Sequence, residues 1–341
     1  MSVLLLITLG MSACANSGSN PRLTAQPTQS ATSGPNRTPT AAPPHGLVLP
    51  GQVTWKNGAS SLLFGTNDAQ EYDPNNLETQ PVFQQDLKSA GVTLIRTFLQ
   101  DPSTDSEIDQ RVATIQQIGA QCLAVLPDIN DRAFNEHAVS YIGDRCLMYD
   151  FGNEPDWNSI SIDAYSKAWI SEIPRLRSIN PHALFFGPVV SYPHTRFLRD
   201  FLTQAKAANV LPDAITVHWY ACYLNPEAQC LQQATLLYSN IEEVRASVRQ
   251  VLGKDLPIGV DEWNFDPSFP PPAYGSSASF VSKFIPLIFS QLVKAQVAYA
   301  CQYDAASFAG YGGLDMFDVK TNQPKPIYYE FAKQVAAYKP A

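Results

Sequence analysis

Two glutamates stand where short apolar runs break into loops. Leu147-Met148-Tyr149-Asp150-Phe151 stops at Gly152-Asn153-Glu154-Pro155, and Leu256-Pro257-Ile258-Gly259-Val260-Asp261 runs into Glu262-Trp263-Asn264. Pro155 cannot extend a central strand and favours an extended residue before it, so Asn153 and Glu154 are expected side by side at a strand end. A carboxylate at the end of a parallel strand is where α/β barrels keep their chemistry. Two such arms reaching one site would form the pair that glycosidic bond cleavage requires. One carboxyl protonates the leaving oxygen, and the other attacks the sugar or activates water. The plainer alternative for Glu154 is that it caps the following helix.

Distant strand ends meet only if the fold brings them together. Eight short apolar runs are expected as strands: Ser61–Gly65, Val92–Phe98, Cys122–Leu126, Cys146–Phe151, Ala183–Gly187, Ala214–Tyr220, Pro257–Glu262 and Ala298–Tyr303. Between them apolar residues recur at helical spacing. Ile108, Val112, Ile115 and Ile118 form one stripe, opened by a Thr104/Glu107 capping box and closed by Gly119. Others are Phe197, Leu198, Phe201, Leu202 and Ala205; Ile241, Val244, Val248 and Val251, stopped by Gly253; Phe280, Phe284, Leu287 and Ile288; and Ile327, Phe331 and Val335. A helix is also expected within Asp131–Ile142. Eight alternations over residues 51–341 predict an α/β protein, a single (β/α)8 TIM barrel. The rival is an open doubly wound sheet, but no Gly-rich phosphate loop follows the first strand.

Read as a barrel, the chain exposes further candidates at its strand ends. The first run ends in Thr66-Asn67-Asp68, which puts Asn67 at the mouth. The second holds Arg96 in an apolar setting, costly unless a carboxylate meets it. The alternative is a surface strand end. On the sixth, His218 and Tyr220 share a face, with Trp219 turned toward the helices. Trp157 and Trp263, flanking the two glutamates, are candidates to stack on sugar rings or simply to pack. The loop from Phe265 to Tyr274 is a subsite wall or a cover for the rim.

The net charge of −8 and pI near 5.1 disfavour nucleic acid as a partner. Residues 1–14 carry an apolar run too short to span a bilayer, followed by Met11-Ser12-Ala13-Cys14, a signal peptide resembling a bacterial lipobox. Cys14 is the expected lipidation site; cleavage and simple secretion is the alternative. Residues 15–50 are rich in Ser, Thr and Pro and poor in large apolar groups, as expected of a disordered tether. An exported chain permits disulfides, and Cys222 and Cys230 are expected to pair. Cys122, Cys146 and Cys301 are expected as buried thiols. No zinc spacing or calcium loop is present, so neither metal nor cofactor is implied. Any membrane contact would run through the lipid anchor alone.

Asn153-Glu154-Pro155, Glu262 far downstream, Arg96 on the second run and His218-x-Tyr220 on the sixth together resemble the clan A glycoside hydrolases. Asp261-Glu262-Trp263-Asn264 and Lys325-Pro326-Ile327-Tyr328-Tyr329 look most like glycoside hydrolase family 39 and its neighbours. The resemblance extends from about residue 60 to the end. It implies a retaining β-glycosidase acting on oligo- or polysaccharide. Glu154 would be the acid/base, with a raised pKa, and Glu262 the nucleophile, with a lower one. Asn153 would bind the sugar 2-OH, Arg96 and Tyr220 would hold Glu262 ionised, and His218 would support either carboxyl. The rival functions are a non-catalytic carbohydrate-binding lipoprotein and another barrel hydrolase. For the latter, neither a His/Asp metal set nor a Gly-x-Ser-x-Gly elbow is visible.

Overall fold

Strand alternation sorts the apolar side chains into two sets. Leu94, Leu123, Met148, Phe186, Tyr299 and Cys301 gather in one cluster, while their neighbours Ile95, Ala124, Tyr149, Phe185 and Ala300 join a larger one shared with the helices. A parallel sheet covered on both faces needs apolar residues at both parities. The first cluster fills the inside of a barrel, and the second fills the seam between barrel and helices.

The structure is a computed structural model, and it describes residues 47–68, 76–268, 270–306 and 314–340. The expected signal peptide, Cys14 and the expected tether as far as residue 46 lie outside the described residues, whereas Leu49, at the end of that expected tether, is buried. The strands are β1 (Gly65–Asp68), β2 (Leu94–Phe98), β3 (Gln121–Leu126), β4 (Met148–Phe151), β5 (Leu184–Phe186), β6 (Ile215–Tyr220), β7 (Ile258–Asn264) and β8 (Tyr299–Gln302). They pair in parallel in the order β5-β4-β3-β2-β1-β8-β7-β6. Single bridges from Phe186 to Ala214 and from Val190 to Val217 close the ring between β5 and β6. The helices are α1 (Pro81–Ala90), α2 (Asp105–Ile118), α3 (Arg132–Ile142), α4 (Ile162–Ile179), α5 (Thr195–Ala207), α6 (Glu227–Ala234), α7 (Leu237–Leu252), α8 (Ala278–Lys294) and α9 (Pro326–Tyr338). A two-residue ribbon, β9 (Phe317–Asp318) against β10 (Gln323–Pro324), precedes α9. The chain is therefore the single (β/α)8 barrel that the alternation predicts.

Local chemistry sets the helix ends. Thr104 accepts from the Glu107 amide while Glu107 accepts from the Thr104 amide at 2.6 Å, and α2 ends at Gly119 with φ +87°. Asp131 caps α3 by accepting from the Phe134 amide. Tight packing at the barrel floor explains Gly259, where a Cβ would lie 2.0 Å from the Tyr299 ring.

Two expectations are corrected. The first strand is Gly65–Asp68, not Ser61–Gly65. Ser60 accepts from the Leu62 amide and caps a single 3-10 turn, Ser61–Leu63. Leu62 then plugs the barrel interior while Leu63 and Phe64 pack under the helices, so the apolar run is floor and the polar Thr66-Asn67-Asp68 is strand. Second, Cys122 and Cys146 are bonded to each other, with Cα atoms 5.2 Å apart. The β3–β4 register sets Leu123 opposite Met148, which brings the two cysteines together at the strand starts. Cys222 and Cys230 are also bonded, and Cys301 is a buried free thiol.

Outside the barrel mouth, Arg111 reaches Asp68 at 2.8 Å and Glu78 at 3.7 Å. Burial, reinforced by the Asp68 charge, pushes the Glu78 carboxyl up to about 9 from its ordinary 4.5. The folded protein thus keeps a proton that the unfolded chain releases above that ordinary value. The associated stability is full below about pH 4.5 and drains as pH rises through about 9. Glu78→Gln, a neutral isostere, is expected to flatten the fall of Tm between pH 5 and pH 9; equal slopes in variant and parent would contradict this.

Candidate active site

Arg96 is fully buried at the centre of the barrel mouth. On β2 it shares the inward face with Leu94, so its guanidinium has no route to solvent and must be satisfied by neighbours. Its Nε lies 2.8 Å from Asp150 Oδ2 and 3.1 Å from Asp261 Oδ2. Nη1 donates to Asn67 Oδ1 at 2.9 Å and to Glu262 Oε2 at 3.3 Å, and Nη2 donates to Asn153 Oδ1 at 2.8 Å. One cation thereby ties β1, β4 and β7 to β2. Asn67 is fixed in turn, donating to the Asp261 carbonyl at 3.0 Å.

Strict alternation would turn Asp261 and Glu262 to opposite faces. Instead β7 carries a bulge. Gly259 and Glu262 pair with Thr216 and His218 of β6, and Val260 and Trp263 pair with Ala300 and Gln302 of β8, so β7 spends three residues where each neighbour spends two. Such an insertion re-aims side chains. Asp261 and Glu262 both turn inward, and Val260 and Trp263 both pack under the helices. Trp263 is fully buried, edge-on to Phe289 at 5.6 Å, and cannot stack on a sugar. Of its two expected roles, Trp263 takes packing, and its place as a substrate-binding candidate is corrected.

After β4 the chain turns sharply. Gly152 adopts φ +89° with Ile129 and Tyr165 3.1 Å from where a Cβ would sit, and Glu154 itself adopts φ +45°. Glu154 is therefore in the left-handed region rather than extended as expected. Its amide donates to the Val189 carbonyl at 2.9 Å, and this bond to the β5 loop holds the turn. A non-glycine residue in that region stores strain, a feature that concentrates at functional sites. Glu154 Oε1 meets His218 Nδ1 at 2.8 Å. The same nitrogen is 3.4 Å from Glu262 Oε2, and Nε2 is 3.6 Å from Asp261 Oδ2. Tyr220 donates to Glu262 Oε1 at 2.6 Å. Carboxylate oxygens of Glu154 and Glu262 lie within 4.8 Å of each other.

The charges inside this mouth are strongly interdependent. Burial pushes Asp150 well above the usual carboxylate range, helped by the charge of Asp261. Burial also works upward on Asp261, but Arg96 and His218 outweigh it and hold Asp261 low. Burial opposes the charged imidazole of His218, yet Glu262 and Asp261 override it and raise its pKa well above the ordinary value. The two glutamates run opposite to expectation. Burial acts upward on Glu154, but the hydrogen bond and charge of His218 bring it below its usual value. Burial raises Glu262 against the pull of His218, Arg96 and Tyr220. His218 Nδ1 thus lies between the two carboxyls, and its neighbours favour the charged imidazole.

Asn67, Arg96, Asn153, Glu154, His218, Tyr220 and Glu262 thus converge on one mouth. Trp157 sits on the loop two residues beyond Pro155 with 69% of its surface exposed. Asp150 and Asp261 are site residues that the sequence reading passed over. Asp150, an acid within the apolar run of β4, carries the same signal that singled out Arg96. Asp261 is hidden by the bulge. Glu154, His218 and Glu262 are also a possible donor set for a metal ion. However, a ligating imidazole must be neutral, and the Arg96 guanidinium at 3.3 Å already neutralises Glu262. The donor chemistry fits a metal poorly.

No family model matches this chain, and no curated protein sequence matches it. Solved structures do resemble it. A monomeric beta-xylosidase from Caulobacter crescentus CB15 is 15% identical, covering 80% of this chain and 68% of its own, with a TM-score of 0.64. A glucosidase from Croceicoccus marinus is 18% identical over 85% of this chain and 66% of its own, with a TM-score of 0.63. A family 51 alpha-L-arabinofuranosidase from Bifidobacterium longum is 14% identical over 87% and 77%, also with a TM-score of 0.63. At these identities the likeness establishes the fold.

Proposed function

We propose that this chain is a retaining β-glycoside hydrolase that cleaves extracellular oligo- or polysaccharide by double displacement. The separation of the two carboxyls carries the reading. One oxygen of each carboxyl lies within 4.8 Å of the other's, which favours the short spacing of retaining enzymes, about 5–5.5 Å between carboxyl groups, over the about 6.5–9.5 Å of inverting ones. The names of the similar solved structures, a xylosidase, a glucosidase and an arabinofuranosidase, support the same class.

In this reading Glu262 is the nucleophile. Tyr220 and Arg96 fix one oxygen each, which aims the carboxylate and stabilises its charge. Glu154 is the acid/base. A sugar covering Glu154 strips away its remaining water and raises its proton affinity. The proton on His218 Nδ1 then crosses the 2.8 Å hydrogen bond to Oε1. Glu262 attacks the anomeric carbon, the glycosidic C–O bond breaks, and Glu154 passes its proton to the departing oxygen. Glu154, now ionised, takes a proton from water, whose oxygen displaces Glu262 and restores both carboxyls. Asn153, held by Arg96, would meet the sugar 2-OH in this reading.

The test is incubation with 2-deoxy-2-fluoro-β-glycosyl fluorides of several sugars, followed by peptide mass spectrometry. A sugar ester on Glu262 is expected, with or without a chelator. An adduct on Glu154 would reverse the roles, and activity lost to the chelator would favour a metal hydrolase. No adduct together with saccharide binding would favour the non-catalytic alternative.

Two disulfides suit an exported chain, in line with the leader. Cys14 is proposed as the lipid anchor, with secretion the alternative. The full chain is expected to partition into detergent, and Cys14→Ala to abolish that partition.

A further inference from the structure

Glu154 stands on a turn that its own backbone does not favour. Its φ is +45°, and Val189, on the loop after β5, has φ +55°. A β-branched residue is a greater outlier in the left-handed region than a glutamate, and such strain persists only where the surroundings over-determine the backbone. The two strained turns meet where the Glu154 amide donates to the Val189 carbonyl at 2.9 Å. Val189 is fully buried, and its neighbour Val190 is fixed to β6, bridging to Val217 and accepting from the His218 amide at 2.8 Å. The β5 loop is therefore the anchored partner, and the turn after β4 must be held against it.

Pro155 has no amide to donate, so the attachment falls to its neighbours. Beyond it, Asp156 turns its carboxyl to the same β5 loop. Oδ1 accepts from the Ser191 amide at 2.9 Å, Oδ2 accepts from Ser191 Oγ at 3.0 Å, and Oδ2 meets His194 Nδ1 at 3.3 Å. The Asp156 side chain is only 3% exposed, so its oxygens are committed to that loop and not offered to a substrate. Hydrogen bonds to an ionised carboxylate are about twice as strong as neutral ones. The turn is also closed on itself. The Asn158 amide donates to the Glu154 carbonyl at 2.9 Å, and Asn158 Nδ2 donates to the Asn153 carbonyl at 3.0 Å. It therefore moves as one piece, and Asp156 fixes that piece two residues from Glu154.

We infer that Asp156 is a positioning residue for the acid/base. By latching the turn after β4 onto the β5 loop, it sets where the Glu154 carboxyl stands relative to the departing oxygen, without touching the substrate. His218 holds that carboxyl from the other side, Nδ1 to Oε1 at 2.8 Å, and its own amide is bonded to the same β5 loop. Backbone and side chain of Glu154 are thus referenced to one segment. A misplacement of about 1 Å at a reacting group can cost about 10²-fold, so releasing the latch should harm proton transfer more than it harms the fold. The inference rests on the role given to Glu154 in the retaining reading above.

The test compares kcat/KM of Asp156→Ala, Asp156→Asn and the parent on aryl β-glycosides of the sugar that labels Glu262. The leaving groups run from 2,4-dinitrophenol, which departs without a proton, to phenol, which needs one. Asp156→Ala is expected to lose about 10²-fold on the phenyl glycoside and less than about threefold on the dinitrophenyl glycoside, because general acid catalysis helps only a leaving oxygen that needs it. Asp156→Asn keeps an oxygen for the Ser191 amide and should recover most of the phenyl rate. In a Glu154→Gln background Asp156→Ala should cost nothing further on the phenyl glycoside, since the two changes act through one group. Labelling of Glu262 by the 2-fluoroglycosyl fluoride at the parental rate shows that each variant folds. Equal losses on both glycosides, or a full extra loss in the Glu154→Gln background, would make Asp156 merely structural and overturn the inference. No loss on the phenyl glycoside overturns it as well. If the parent itself labels on no carboxylate, the retaining reading fails and the role of Asp156 falls with it.

Discussion

Glu262→Gln is expected to lower turnover of every glycoside by at least about 10⁴-fold while leaving Tm within a few degrees of the parent. The amide keeps the shape of the carboxylate and can still meet Tyr220, which donates to Oε1 at 2.6 Å, but it cannot form the ester on which retention depends. Glu154→Gln should behave differently. General acid catalysis contributes about 10²–10⁴-fold, and only where the leaving oxygen needs a proton. A glycosyl fluoride departs as fluoride and needs much less help. The Glu154→Gln variant should therefore trap on Glu262 at close to the parental rate and then stall, because no base remains to deprotonate the attacking water. Fast labelling with slow release in Glu154→Gln, set against no labelling in Glu262→Gln, assigns each role separately. Full activity in either variant, or equal labelling in both, would sink the assignment.

The parts of the site legible in the sequence are those where a polar residue interrupts an apolar strand end. Glu154, Glu262, Arg96 and His218 each stand out in that way, and the barrel follows from counting strand and helix alternations. Other features needed three dimensions. The bulge in β7 depends on pairing with β6 and β8, so neither the inward turn of Asp261 nor the outward turn of Trp263 follows from alternation. The Cys122–Cys146 bond depends on the β3–β4 register. The first strand follows the apolar run of Leu62, Leu63 and Phe64, which serves the barrel floor, so apolar content alone points to the wrong segment. The raised pKa of His218 is equally invisible in the sequence. It depends on three carboxyls, Glu154, Glu262 and Asp261, lying within a few ångströms of one imidazole.

Below His218 lies a second cluster of buried acids, Asp150 and Asp261. Burial and the charge of Asp261 raise Asp150, and the mouth sets four carboxyls against Arg96 and His218. Removing the central cation tests the arrangement most severely. Burial opposes the charge on Arg96, but Asp261, Asp150 and Glu262 more than compensate and hold it firmly protonated. Arg96→Met fills similar space with an apolar chain and leaves Asp261 and Glu262 facing each other without their guanidinium. Breaking one side of a buried ion pair costs about 3–5 kcal/mol, which for a domain of this size lowers Tm by on the order of 10 °C. The sign of the pH dependence follows from Asp261, which Arg96 holds below its usual value. The stability it contributes is present above the ordinary carboxylate range and is lost as pH falls through the lowered value. In the variant that contribution is already missing at pH 7, and its exposed carboxyl charges pick up protons as the pH drops. The gap in Tm between Arg96→Met and the parent should therefore be widest near pH 7 and narrow toward pH 4. A variant as stable as the parent at pH 7, or a gap that widens in acid, would show that Arg96 does not carry the charge balance of the mouth.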